Sequence, residues 1–180
     1  MCRCSALVLF SMAVPPYGLP PTPVQRLVHA YCRSEFLFWV RFQLPSIRNR
    51  LLGEPSDIVN HASGADRQML AQLTESFLPG TLRADGIIND MAVSNPDLNR
   101  GLPFAEITVP ALIFHAKDDR WGALAMAQEA AERIPGVQFR ALESGGHLLL
   151  GSRQAVGAEI ARFVREHARA TSFARVATGA

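Results

Sequence analysis

The stretch ITVPALIFHAKDDRWGALAMAQEAAERIPGVQFRALESGGH, residues 107–147, decides how this chain is expected to fold. It opens with an apolar run that Pro110 introduces, and this run predicts a buried strand over Val109–Phe114. The five residues His115–Asp119 then form a polar turn. A short apolar run that ends in such a turn is typical of a strand in the centre of a sheet.

A helix and a second strand follow this turn. Apolar residues at helical spacing predict a helix over Ala123–Ile134, which the pair Pro135-Gly136 ends. A second strand is predicted over Val137–Leu142, and a glycine-rich loop comes after it. A strand, a helix and a strand in this order indicate a parallel sheet, because a helix is the usual crossover between parallel strands.

Two groups that can carry chemistry follow these strands. The acidic pair Asp118-Asp119 comes after the first strand, and His147 comes after the second. The carboxyl ends of parallel strands lie at the same edge of a sheet, and open α/β sheets keep their sites at that edge. An acidic pair in a turn and a Gly-Gly-His loop are also common in proteins where they have no catalytic function. The order of strand, turn, helix, strand and histidine loop is what strengthens the interpretation of this pair as catalytic.

Two segments of this stretch resemble a known family. VPALIFHAKDD, residues 109–119, and ESGGHLLLG, residues 143–151, are similar to the closing third of an α/β-hydrolase. The resemblance extends from about Ser5 to about His167. It implies an α/β fold with a partial parallel α/β-hydrolase sheet, its last three strands, and a helical cap insertion.

The resemblance also implies roles for the acid and the histidine. In this family the two loops carry the acid and the base of a Ser-His-Asp triad. Asp119, three residues after Ala116, is the implied acid, Asp118 is the weaker candidate, and His147 is the implied base. The implied reaction is cleavage of an ester, amide or activated carbon–carbon bond in a small-molecule substrate by acyl transfer, without a metal or an organic cofactor.

The nucleophile of such a triad is missing. The family's nucleophile elbow needs Gly-x-Ser-x-Gly, which the sequence does not contain. Ser152 begins a helix after the histidine, and Ser63 lies in a polar loop with no strand before it. We therefore expect a carboxyl-terminal fragment of a longer hydrolase. The alternative is a non-catalytic remnant that acts as a binding or interaction module.

The 180 residues are expected to form two structural parts. Residues 1–19 supply a first core strand and a loop, residues 20–100 a helical cap, and residues 101–170 the carboxyl-terminal core. Residues 171–180 are expected to be a frayed tail after a last helix that ends near Ala168.

Helical patterns fill the expected cap. One helix is predicted from Pro23 to about Val40, a second over Ala65–Phe77 with Ser63 as its N-cap, and a third over Thr81–Met91. Aromatic residues are dense in the first of these. They either pack inside the helical part or line a substrate pocket. The pocket candidates are Phe36 and Trp39 in this helix, together with Trp121 after the acidic pair.

The amino terminus has two interpretations. Ser5–Phe10 predicts a buried parallel strand, whereas residues 1–14 also have the charge and the apolar run of a short signal peptide, without a clear cleavage site. On the first interpretation, which we favour, this strand exposes an apolar edge. Such an edge invites pairing with another chain, so self-association is expected.

The composition excludes several classes of partner. The net charge is +2, and 48% of the residues are hydrophobic, so neither a nucleic acid nor a membrane surface is an expected partner. Three cysteines, Cys2, Cys4 and Cys32, have no metal-type spacing. The odd count fits a reducing compartment best, and the predicted location is the cytoplasm.

Overall fold

The computed structural model describes residues 4–12, 21–90 and 101–177, with side chains described as far as His167. The first positions of the possible signal peptide, Cys2 and the predicted boundaries after residues 19 and 100 lie outside these residues. The predicted end of a helix at Met91 lies outside them too.

The chain divides into two compact units. One combines residues 1–13 with residues 103–180 and contains the sheet, and the other, residues 14–102, is helical where it is described. In chain order the elements are β1 Leu7–Phe10, α1 Thr22–Cys32, α2 Glu35–Gln43, α3 Pro45–Leu51, α4 Ser56–Asn60, α5 Gly64–Ser76, α6 Ala84–Asn89, β2 Ala111–Ala116, α7 Leu124–Arg133, β3 Gln138–Leu142 and α8 Arg153–Ala177.

The three strands form one parallel sheet in the order β1-β2-β3, which confirms the predicted sheet. β2 is the middle strand, and all six of its residues are buried. Its last residue, Ala116, pairs with Leu142 at the end of β3. The two loops that follow therefore leave the sheet side by side at its carboxyl edge.

One face of the sheet packs on α8. Leu112, Phe114 and Ala116 of β2 form a buried cluster with Val156 and Phe163 of this helix. Side chains alternate along a strand, so Ala111, Ile113 and His115 point to the opposite face. There α7 packs on β2 and β3. Its Ala127 and Ala130 are fully buried, and such small side chains let the helix approach the strands closely.

The prediction that β2 ends at Phe114 and that a polar turn begins at His115 is wrong. The strand continues through His115 to Ala116, and His115 is completely buried. Its Nε2–H donates to the carbonyl oxygen of Gly122 at 2.9 Å. This bond satisfies one nitrogen of a buried imidazole, so a polar residue can occupy a core position of the strand.

The helical unit differs from the predictions in one helix and agrees in another. The single helix predicted from Pro23 to Val40 is wrong, because the chain breaks into α1 and α2. Ser34 lies at the break in an extended conformation and accepts the N–H of Leu37, which begins a new helix. The predicted cap of α5 is confirmed, since Ser63 Oγ accepts the N–H of Asp66 at 3.1 Å.

Two further boundaries move. The helix predicted from Thr81 begins as a 3-10 turn over Gly80–Arg83 and becomes α-helical at Ala84. The last helix extends to Ala177 rather than ending near Ala168. The prediction of a frayed tail is therefore wrong for residues 171–177. No strong helix breaker lies in that segment, so the helical pattern continues.

Candidate active site

Asp119 and His147 lie against each other at the carboxyl edge of the sheet. Nδ1 of His147 lies 3.0 Å from Oδ2 and 3.3 Å from Oδ1 of Asp119. The two loops are joined at their start, where Lys117 N–H donates to the carbonyl oxygen of Leu142 at 2.9 Å. The structure therefore brings the two residues of the predicted catalytic pair together, and their catalytic role stays a prediction.

The carboxylate of Asp119 is buried and ionised. Its side chain has no exposed surface, and Oδ1 accepts the N–H groups of Trp121 at 2.8 Å and Gly122 at 3.1 Å. Burial by itself raises the pKa of Asp119, but the hydrogen bonds from His147, Gly122 and Trp121 outweigh burial and lower the pKa below its ordinary value. The group is thus held as a carboxylate that faces an imidazole N–H.

The imidazole of His147 is oriented on one side and open on the other. Because a carboxylate only accepts, the bond to Asp119 places the ring proton on Nδ1. Among the described side chains none hydrogen-bonds Nε2, and a quarter of the side chain, 25%, is exposed. The indole ring of Trp121 covers part of the imidazole, with ring centroids 4.9 Å apart. An unprotonated Nε2 that can be reached is what a general base needs.

Asp118, the weaker candidate for the acid, does not contact the imidazole ring in this way. Its Oδ1 accepts the N–H of Gly146 at 2.9 Å, and its Oδ2 accepts the N–H of Gly145 at 3.3 Å. The two neighbouring carboxylates thus divide their contacts: Asp119 holds the ring of His147, and Asp118 holds the backbone directly before it.

Two residues of the site were not predicted from the sequence. Ser11, just after β1, donates its hydroxyl to the carbonyl oxygen of His147 at 2.6 Å and has a positive φ of 44°. Nε2 of His115 lies 3.8 Å from Oδ2 of Asp119, behind the Asp119–His147 pair. The positive φ of a serine cannot be read from sequence, but an imidazole four residues before a candidate acid was a usable signal.

Gly122 lets the turn after Asp119 lie close to the backbone of Met12. A Cβ at this position would lie 2.6 Å from the carbonyl oxygen of Met12 and 3.1 Å from Cε1 of His115. Only glycine therefore fits where its N–H binds Asp119 and its carbonyl oxygen accepts from His115.

The three predicted pocket residues lie in different units. Trp121 belongs to the sheet-containing unit, and Phe36 and Trp39 lie on α2 of the helical unit. All three are exposed, at 56%, 70% and 46% respectively. Their neighbours Phe38 and Phe42 are buried and contact each other, with centroids 5.4 Å apart. Packing therefore accounts for part of the aromatic cluster, and the pocket role of the exposed residues stays a prediction.

The helical unit also contains a cavity of about 360 Å³. None of the predicted pocket residues lines it; the lining residues are Arg48, Val59, Asn60, Arg67, Leu70 and Ala71. Within the described ranges there is no group of three or more His, Cys, Asp or Glu side chains that could hold a metal ion. Nor does any described helix have the length and apolar character that crossing a membrane requires.

Solved structures share this fold over most of the chain. An esterase from Exiguobacterium antarcticum is 22% identical with a TM-score of 0.53, and 89% of this chain covers 57% of it. A thermophilic esterase from Thermogutta terrifontis, solved with malate bound, is 19% identical with a TM-score of 0.60, and 91% of this chain covers 57% of it. A serine hydrolase from Cycloclasticus zankles is 17% identical with a TM-score of 0.57, and 89% of this chain covers 55% of it.

These likenesses concern the fold, because the identities are low. The chain spans little more than half the length of each of these structures, 55–57%. No protein-family model matches the sequence, and no curated protein matches it.

Proposed function

Because this chain has the α/β-hydrolase fold over the part of its solved relatives that it spans, we propose that it is the base-and-acid part of a hydrolase. The observation that carries the proposal is the 3.0 Å contact between Nδ1 of His147 and the buried carboxylate of Asp119, with Nε2 left open. The relatives named as esterases favour an ester among the predicted ester, amide and carbon–carbon substrates.

The proposed reaction follows from the geometry of the pair. A hydroxyl nucleophile attacks the carbonyl carbon of the substrate and gives its proton to Nε2 of His147. Asp119 stabilises the imidazolium that forms, and His147 then gives the proton to the leaving group. Water attacks the acyl intermediate in the same way, its proton passes through Nε2 to the nucleophile, and the acid is released.

Ser63 and Ser11 do not supply the hydroxyl of this proposal. Ser63 Oγ is engaged with Asp66, and Ser11 Oγ donates to the backbone of His147 rather than approaching its ring. Together with the absent Gly-x-Ser-x-Gly, this favours a nucleophile on a segment that this sequence does not contain. The proposed fragment status of the chain, its helical cap and its cytoplasmic location rest on the sequence arguments given above.

An added small alcohol tests the proposed base without the missing nucleophile. We expect the purified chain to catalyse transfer of the acetyl group from p-nitrophenyl acetate to methanol, with a rate that rises with methanol concentration. General-base catalysis contributes about 10²–10⁴-fold in complete sites, and we expect about tenfold here because methanol is not held in place.

The matched variants are His147→Ala and His61→Ala, the second of which removes an exposed imidazole from the helical unit. The proposal expects the methanol-dependent rate to be lost in His147→Ala and kept in His61→Ala. Equal rates for the wild-type chain and His147→Ala would contradict it.

A second candidate function, a binding or interaction module, is favoured by the edge of the sheet. The N–H of Leu7 donates to Pro110, directly before β2, and the N–H of Ser11 donates to Phe114 of β2. Alternation along the strand points the N–H groups of Val8 and Phe10 away from β2. No described strand pairs with that edge. Phe10 is 48% exposed there, so we propose that two copies of the chain associate through β1.

The association is tested by placing a charge on this edge. We expect a molar mass that rises with concentration in light scattering of the wild-type chain. Phe10→Lys should remain a monomer, because a lysine on an edge strand opposes pairing. Val164→Lys, at a site 43% exposed on α8, is the control and should associate like the wild type. A wild-type chain that is monomeric at every concentration would rule out the module based on self-pairing.

A further inference from the structure

The backbone directly before His147 is held by a carboxylate. The two oxygens of Asp118 accept the N–H groups of Gly145 and Gly146, and the catalytic pair does not use either bond. Asp118 is half-buried between the two loops. A carboxylate that accepts two consecutive backbone N–H groups makes stronger hydrogen bonds than a neutral acceptor would.

The two glycines need such a restraint. The φ angles of Gly145 and Gly146 are 141° and 62°, in the region that residues other than glycine rarely adopt. A Cβ on Gly145 would also lie 3.1 Å from the backbone of Leu149 and from the carbonyl oxygen of Leu150. The site therefore requires glycine, and glycine brings the largest backbone freedom to the position just before the base.

We propose that Asp118 is a positioning residue, whose carboxylate fixes the Gly145–Gly146 backbone so that the imidazole of His147 meets Asp119 and leaves Nε2 free. The carbonyl oxygen on the other side of His147 is held by Ser11, at 2.6 Å. The histidine is thus fixed at three points: its ring, the backbone before it and its own carbonyl group. The catalytic consequence of this restraint rests on the proposed function, but the restraint itself does not.

A purely stabilising role for Asp118 is the competing explanation, and the same pair of loops supplies the control. Lys117 forms an ion pair with Glu143, which joins these loops at an exposed point and does not touch the glycines. Glu143→Gln therefore removes one negative charge from the same loops without releasing Gly145 or Gly146. Asp118→Asn removes the charge and turns an acceptor into an NH2 group that opposes a backbone N–H.

The decisive measurement is NMR of the His147 ring in Asp118→Asn, Asp118→Glu, Glu143→Gln and the wild-type chain. We expect exchange of the Nδ1 proton and of the Gly146 amide with water to become about tenfold faster in Asp118→Asn, because a charged hydrogen bond is lost. Asp118→Glu, which keeps a carboxylate, should restore part of the protection. Glu143→Gln should leave both rates unchanged.

Unchanged exchange in Asp118→Asn, or equal acceleration in Glu143→Gln, would overturn the proposal. Urea denaturation of the same variants separates a local change from a loss of fold, since a positioning role predicts that exchange at these two protons accelerates more than the fall in unfolding free energy alone would produce. If methanol transfer fails but Asp118→Asn still accelerates exchange of the Nδ1 proton of His147, the proposed hydrolase is rejected and the positioning role stands.

Discussion

Asp119→Ala is expected to lower the free energy of unfolding of the sheet-containing unit by about 3 kcal/mol, because a buried N–H that loses its acceptor costs about 1–3 kcal/mol and a hydrogen bond to a charged group contributes about 1.5–3 kcal/mol. The variant deprives Trp121 N–H and Gly122 N–H of their common acceptor, Oδ1. It also removes the partner of His147 Nδ1. Urea denaturation, followed by the fluorescence of Trp121 in a Trp39→Phe background, measures the loss in this unit.

The charge of Asp119 makes the same measurement depend on pH. Its native pKa is lowered, so in acid the native state binds fewer protons than the unfolded state. Aspartates in the unfolded state titrate at about 3.9. The stability that the carboxylate contributes is complete above that value and is lost as the pH falls through the lowered native pKa. We expect Asp119→Asn to flatten this acid dependence. An unfolding free energy of Asp119→Ala within about 0.5 kcal/mol of wild type would contradict the description of the turn.

Phe163→Ala is expected to lower the free energy of unfolding by about 3–5 kcal/mol, the usual cost of truncating a buried phenylalanine. Phe163 is 1% exposed and lies in the cluster that α8 shares with Leu112 and Phe114 of β2. The cavity left behind opens between the helix and the strand, where neither element can move in without losing its other contacts.

The next residue on α8 supplies the control for this loss. Val164 is 43% exposed, so Val164→Ala should change the unfolding free energy by less than about 0.5 kcal/mol. The same fluorescence signal of Trp121 measures both variants. Equal effects of the two substitutions would mean that α8 does not pack on the sheet through this face.

The parallel sheet could be predicted because local patterns determine it. Apolar runs, a helical period and a Pro-Gly stop within residues 107–147 predict β2, α7 and β3, and a further apolar run predicts β1. The end of β2 could not be read in this way. His115 is polar by its letter, and only its bond to Gly122, which forms when the turn closes, makes it a core residue.

The division of contacts between Asp118 and Asp119 was predictable only in part. Counting three residues from Ala116 selects Asp119, and the structure places Asp119 rather than Asp118 against the ring of His147. The partner of Asp118 is a loop 27–28 residues away, and Ser11 reaches His147 across 136 residues. No periodicity in the sequence encodes such distant hydrogen bonds, because the sheet has to form before they can.

The helical unit shows the same limit at shorter range. The break between α1 and α2 depends on Ser34 competing for the backbone, and a continuous apolar pattern conceals it. The cap of α5 was predictable because Ser63 precedes a clear helical period and a glycine that begins the helix.

The central claim is that Asp119 fixes the tautomer of His147 and leaves Nε2 free to act as a base. Nitrogen-15 NMR of the histidine side chains, at about pH 8 where an ordinary imidazole is neutral, tests it most directly. We predict a protonated Nδ1 and an unprotonated Nε2 for His147, assigned by the loss of its signals in His147→Gln, and the opposite tautomer in Asp119→Asn. A wild-type His147 with its proton on Nε2, or one that does not respond to Asp119→Asn, would contradict the account.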